Sequence, residues 1–449
     1  MDTRNSLGCA CLILLSSSVI SGQESGPADA PARRIEVTAA VRMELAAWLR
    51  RGTSQKVEVT FAPELKLLLP FHLKLTALGR VRADLFDALE PGKPSQLELS
   101  RATRTVMVGD RVELELREFR LQRTLGPALV TLGKQQVVWG RADGLKVLDI
   151  VNPQDFREFI LDDFGESRIP LWMANIEWTV RDLDVQLLWV PDRSAHRLPP
   201  PNAPFAFTAP SVRPGPPPPF VHARVEIDRP NRALADADAG VRVARAWKGW
   251  DLTANYLFHY DDRPTVLAPP PLPPGGTAPT LTATYKRSHL GGGSFASAFG
   301  PVALRGEVAA SFNRFLSGKD SLMNPSVETP GIAYVIGCDW HAPGRLLLSA
   351  QLFQDRVTRN ASKLIREPVE TTTTLFARRA FRHDTVTVQA MWLHGVGARD
   401  GLVRPRVTYD LRDDVRIWLG VDLFYGRPGS LFGQFSRNDR LVAGIEIGM

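Results

Sequence analysis

The chain has 449 residues, of which 44% are hydrophobic and 23% charged, with a mean hydropathy of −0.11. Its 55 basic and 48 acidic residues give a formal net charge of +7 and are interspersed, which excludes the clustered basic stripe of a nucleic-acid binder. Beyond the N-terminus no stretch supplies the roughly 18 apolar residues of a spanning helix, so a membrane protein of this composition must cross with strands. The small positive excess fits a solvated surface, a pore favouring anions, or contact with anionic lipopolysaccharide.

Residues 1–22 read as a signal peptide, with Arg4 in the n-region, Leu7 to Ile20 apolar, and cleavage after Val19-Ile20-Ser21 or Ile20-Ser21-Gly22. A retained anchor is the other reading, but roughly 14 residues are too few to span a bilayer. Residues 23–34 form a leader with no periodic pattern. Cys9 and Cys11 fall in the apolar segment and leave Cys338 alone, so the mature chain is expected to have no internal disulfide, no cysteine-based zinc site and one half-buried thiol.

From Ile35 the dominant period is two. Ile35, Val37, Ala39, Val41, Met43, Leu45 and Ala47 alternate with Glu36, Thr38, Arg42 and Glu44, which is strand patterning. The same parity recurs in Leu75 to Phe86, Trp172 to Val180, Trp250 to Tyr260, Val302 to Asn313 and Val415 to Tyr425, and Leu441 to Met449 closes the chain in alternation. Several runs reach the about 9 to 11 residues of a tilted membrane strand, longer than the roughly 5 to 6 of an average soluble strand.

Connections sort into two kinds. Short polar turns are predicted at Arg181-Asp182, Lys248-Gly249, Gly300-Pro301, His341 to Gly344, Arg382 to Asp384 and Arg412 to Asp414. Long ones are predicted at 140–171, 191–240, 261–279, 314–330, 355–371 and 426–438. Alternating short and long connections is the pattern of an outer-membrane barrel, with the long loops outside. Trp247 and Trp250 flank one turn and Trp340 precedes another, where an interfacial aromatic belt would place them. The expectation is an all-β, up-and-down antiparallel transmembrane β-barrel over 35–449, with about 18 strands, or 16 if Lys56 to Phe86 is cut differently. Phe220 to Asp228 alternates too, and is read as a strand within a folded external loop.

The most distinctive stretch runs from Thr131 to Asp192. It holds Leu132-Gly133-Lys134, Trp139-Gly140-Arg141-Ala142-Asp143-Gly144, Asp149-Ile150-Val151-Asn152-Pro153, Ser167-Arg168-Ile169-Pro170 and Leu188-Trp189-Val190-Pro191. With Gly79 to Asp84, Leu431 to Phe435 and Asn438-Asp439, it resembles a proteobacterial family of outer-membrane barrels catalogued as a domain of unknown function. Members are often encoded near resistance-nodulation-division exporters. The resemblance implies a cell outer membrane location and hydrophobic or amphipathic cargo.

After Trp139 the long connection interleaves Arg141, Asp143, Asp149, Asp155, Arg157, Glu158, Asp162, Asp163, Glu166 and Arg168 with Ile150, Phe156, Phe159, Ile160 and Phe164. Asn152-Pro153 is a start signal, and Phe156, Phe159, Ile160 and Asp163 have the spacing of one or two helical turns. Such a loop is expected to pack, either folded inward as a constriction or held outside as a lid by Arg/Asp pairs. Lumen or constriction candidates are Arg141, Asp143, Asp149, Asp155, Arg157, Arg168, Glu177, Arg305 and Glu307, with Arg80, Arg82, Asp84, Arg416 and Asp422 along the path.

Gly-x-Ser-x-Gly, His-Glu-x-x-His and Walker motifs are missing from the sequence, so no enzyme, metal or cofactor is expected. The favoured function is a porin-like transport barrel. The alternative is an adhesion or structural barrel with a filled lumen. Expected partners are outer-membrane lipid and lipopolysaccharide, the barrel-assembly machinery and a small hydrophobic ligand, with no nucleic acid.

Overall fold

A computed structural model describes residues 35–212, 224–228, 230, 232, 234–266, 280–320 and 325–449. The expected signal peptide and leader, and residues 213–223 and 267–279 of two of the expected long connections, lie outside the described residues.

Eighteen antiparallel strands close one barrel. The first seven are β1 (Ile35–Trp48), β2 (Ser54–Leu69), β3 (Leu73–Asp84), β4 (Val112–Leu125), β5 (Ala128–Gln135), β6 (Leu171–Val180) and β7 (Leu183–Val190). Then come β8 (Asp238–Trp247), β9 (Trp250–Tyr260), β10 (Arg287–Phe299), β11 (Val302–Phe312), β12 (Gly331–Ala342) and β13 (Leu346–Val357). The last five are β14 (Val369–Phe381), β15 (Val386–Gly395), β16 (Asp400–Arg412), β17 (Val415–Tyr425) and β18 (Arg440–Gly448). Each strand pairs with its chain neighbours, and β18 pairs with β1 from Ala40↔Gly448 to Trp48↔Arg440, which leaves no free edge. Val106–Val108 adds a short ribbon on β4.

Alternation decides which face is which. On β11, Val308 is 48% exposed while Ala309 is 1% exposed and Glu307 4%, so apolar side chains point outward and polar ones inward, as lipid outside requires. Cys338 lies in the same outward set as Ile336 and Trp340 and is exposed. The expected half-buried thiol is therefore corrected.

Connections after even-numbered strands are tight: residues 181–182, 248–249, 300–301 and 413–414 join their strands directly. Two tight turns carry no polar signal in the sequence. One is Pro70–His72, where Phe71 and His72 take positive φ, and the other is Leu125 to Ala128 around Gly126. At the opposite end the connections are long, except 49–53 and 396–399. Arg224–Asp228 forms a parallel pair with Thr280–Thr284 in a small sheet separate from the barrel. Phe220 to Ala223 fall outside the described residues.

Candidate constriction site

The connection from β5 to β6, residues 136–170, packs against the inward face of strands all round the barrel. Trp139 begins it. Its ring lies against Gly240, where an added Cβ would meet Trp139 at 2.8 Å, and its indole N–H donates to Gln186 Oε1 at 2.8 Å. Gln186 in turn donates to Glu177 at 2.9 Å, which also accepts from Asn175 at 2.8 Å. Glu177 thus stands beneath the loop's first anchor.

Glu307 on β11 is the second anchor. Oε1 accepts the backbone N–H of Ala142 at 2.7 Å and that of Arg141, while Oε2 accepts Leu148 N–H at 2.9 Å. A single inward carboxylate thereby satisfies three loop donors that would otherwise be buried without partners. Arg305, two residues earlier and on the same face, donates to the Arg141 carbonyl at 2.5 Å, pairs with Asp143, and reaches Asp339 at 3.0 Å. Arg141 itself reaches Asp251 at 3.5 Å. Around this point Trp139, Val147, Leu148 and Val151 bury against Leu257, Leu290, Ala309, Val335 and Phe353. These five wall residues are apolar members of the inward set, and they give the loop a dry floor.

Asp149 accepts both Arg168 Nε at 2.9 Å and Nη2 at 2.7 Å, and pairs with Lys146 at 2.9 Å. This ties the two arms of the loop together. Burial pushes the Lys146 amine down to about 8, with Arg168 adding to the effect and Asp149 opposing it. Asp155 receives Arg197 at 3.3 Å and the Arg157 N–H at 3.2 Å.

Beyond Asp155 the loop meets β1 to β4 and β16 to β18 through charge. Arg157 pairs with Glu58 at 2.7 Å. Glu158 bridges Lys56 at 2.5 Å and Arg440 at 2.6 Å, and Arg440 continues to Asp422 at 2.8 Å and through it to Arg404 at 2.9 Å. Arg404 also donates to the Leu161 carbonyl at 2.8 Å, Arg117 to the Gly165 carbonyl at 2.7 Å, and Arg80 pairs with Glu166 at 2.8 Å. Burial works against the Glu166 carboxylate, but Arg80, Arg117 and Arg42 outweigh it and hold the group at about 2. Asp162 shifts the other way. Burial and the neighbouring Glu158 raise it to about 6.

The helical turns expected from Asn152-Pro153 onward do not form. Phe159 takes φ 57, which interrupts an α-helix there, and the sole helix in this loop is the single turn Phe164–Ser167. Phe159 instead joins Phe205, Phe207, Phe424, Phe432 and Phe435 in an aromatic core shared with the connections 191–212 and 426–439.

A charged cavity of about 240 Å³ lies between the loop, β1 to β3 and β18, lined by Arg42, Glu44, Lys56, Glu58, Arg80, Arg82 and Glu446 on the wall and Arg157, Asp162 and Glu166 on the loop. Two path candidates lie elsewhere. Asp84 accepts the Leu89 N–H at 2.9 Å at the base of the next connection, and Arg416 pairs with Asp410 at 2.6 Å. Sequence reasoning did not single out Lys56, Glu58, Glu113, Arg197 or Arg440. Their signal was their parity: each of the strand residues among them occupies an inward position in a strand whose outward positions are apolar.

An antiparallel closed barrel with a long inward-packed loop defines the class of porin-like bacterial outer-membrane barrels. Residues 124–397 match the family described as "Protein of unknown function (DUF1302)", and the chain belongs to that family. Comparison with curated proteins finds no match. Among solved structures, the chain is similar to OccK1 (OpdK) of Pseudomonas aeruginosa, with TM-score 0.51 and 9% identity over 92% of this chain and 98% of that one. It has the same TM-score, identity and coverage against OpdK solved with vanillate. OccK9 (OpdG) of Pseudomonas aeruginosa gives TM-score 0.50 and 10% identity over 92% and 97%. These likenesses establish the fold alone.

Proposed function

We propose that the chain is an outer-membrane channel for small polar or amphipathic solutes, constricted by residues 136–170. The observation that carries this reading is the ring of contacts from that one loop to Gln186, Glu307, Gln351, Arg404, Arg440, Glu58 and Arg80, which leaves a charged cavity beside it. The loop candidates Arg141, Asp143, Asp149, Asp155, Arg157 and Arg168, with Glu177, Arg305 and Glu307 on the wall, act in this account by fixing the loop's position. Five cationic and five anionic side chains line the cavity, so size and polarity govern passage more than the sign of charge. A wholly apolar solute finds no apolar track there; an amphipathic one carries polar groups to match. The proposal includes residence in the outer membrane, with lipid, lipopolysaccharide and the assembly machinery as partners. Purified protein in planar bilayers tests it: discrete conductance steps support a channel, and a silent, correctly folded barrel rejects it.

A second reading, a structural or adhesive barrel with a filled lumen, draws support from the phenylalanine core. Phe205, Phe432 and Phe435 are each 1% exposed or less, and a packed apolar core of this kind keeps water out. The same silent barrel would favour it.

A further inference from the structure

The inward charges of the wall are mostly paired. Arg42 pairs with Glu446, Arg82 with Glu113, Arg305 with Asp339, and Arg404 and Arg440 share Asp422. The wall of β14 to β16 departs from this. Arg378, Gln389 and Arg406 stand directly opposite one another across three neighbouring strands, through Arg378↔Gln389 and Gln389↔Arg406.

Parity places all three on the inward face. Arg378 shares its side of β14 with buried Thr374, Gln389 its side of β15 with buried Leu393, and Arg406 its side of β16 with buried Leu402. None of the three makes a hydrogen bond or ion pair with a described residue, and all are half-buried. At roughly 4.8 Å between strands, the two arginine Cα atoms lie roughly 10 Å apart, within reach of one small molecule held between their side chains.

The next strands extend the feature. Gly420 faces Arg406 in register, and a Cβ there would stand 3.4 Å from the Arg406 side chain. On the same face of β17, Trp418 lies flat over Gly444 of β18, with its indole N–H buried and without a hydrogen-bond partner. Arg42, which lines the charged cavity, sits 6.0 Å from the Trp418 ring. The row therefore runs into the cavity wall.

Two unpaired guanidiniums and one unpaired amide present donors in excess of acceptors. Such a surface suits an anion with several acceptor oxygens, and a carboxylate accepts two parallel bonds from a guanidinium. The flat indole beside it offers an apolar face for the rest of an organic acid. We propose that Arg378, Gln389, Arg406 and Trp418 form a binding site for the carboxylate of a small organic acid on the lumen wall. As a step in permeation the site rests on the channel reading; as a binding site it does not.

Benzoate titrated into detergent-purified barrel, followed by calorimetry, tests it, with heat-modifiable migration on gels as the check on folding. The wild type should bind saturably. R378Q/R406Q should weaken binding at least tenfold, W418F should weaken it less, and R345Q/R382Q, which removes two charges from periplasmic turns, should bind as the wild type does. Absence of saturable binding, or equal binding by R378Q/R406Q, overturns the site. Chloride competing as well as acetate would overturn the assignment to carboxylates. Benzoate binding by a barrel that conducts nothing in bilayers would support the site while rejecting the channel.

Discussion

Glu307 accepts the backbone N–H of Leu148 at 2.9 Å across a sequence separation of 159 residues, and this bond joins the middle of a strand to the middle of a loop. Leu148 is fully buried at the same point. The loop is thus fixed by one carboxylate together with the apolar floor under it.

Glu307→Ala should release the loop without dissolving the barrel. Each loop N–H left buried without a partner costs about 1 to 3 kcal/mol, so protease should cut within residues 140–151 of the variant while gels still show a heat-modifiable band. Glu307→Gln keeps one acceptor oxygen and should fall between. Protease resistance equal to the wild type in the alanine variant would show that the floor alone holds the loop.

Glu158 is enclosed by Lys56 and Arg440. Removing its charge by Glu158→Gln takes one carboxylate from each of two buried cations, leaving Lys56 with Glu44 and Arg440 with Asp422, so the cost should stay below the about 3 to 5 kcal/mol of a buried pair broken outright. The variant should unfold at distinctly lower denaturant concentration. An unchanged midpoint would mean that water reaches both cations.

The outward face gives a control on register. Val308→Arg puts a charge against lipid and should cost about 2 to 4 kcal/mol near the midplane, seen as reduced assembly in the membrane. Arg305→Gln, on the opposite face, should assemble normally while loosening Asp143. Equal loss of assembly from both would show the inward and outward faces to be exchanged.

Asp162 gives a pH dependence. Its carboxyl, raised to about 6 by burial and by Glu158, holds its proton more tightly in the folded chain than the ordinary 3.8. Its contribution to loop docking is therefore fully present below 3.8 and is lost as pH rises through 6. Glu166, held down at about 2 against burial by Arg80, has the opposite sign: its contribution is present above 4.5 and lost as pH falls through 2. Raising the pH through 6 should add negative charge to the cavity and move ion selectivity toward cations, read as a shift in reversal potential under a salt gradient. Asp162→Asn should abolish the shift.

Much of the barrel was legible because lipid imposes a strict rule on each strand. Val308, Ala309 and Ala310 reveal their faces by parity alone, and Arg181-Asp182 marks its turn by polarity. The turn at Pro70–His72 was hidden since Leu67 to Phe71 form one apolar run, and the change of direction rests on positive φ at Phe71 and His72. The loop was legible in composition but not in partners. Nothing near Arg141 in the sequence points to Asp251, or near Arg157 to Glu58, because those contacts join residues far apart in the chain. Leu257, Val335 and Phe353 broke the polar inward pattern, and that exception was the available sign of a docked loop.

The most direct test is single-channel conductance after deletion of Asp155 to Glu166, in protein shown by heat modifiability to retain its barrel. That segment supplies Arg157, Asp162 and Glu166 to the cavity wall. Deleting it should widen the path and raise conductance several-fold over the wild type. Unchanged conductance in the intact deletion barrel would contradict a constriction formed by this loop.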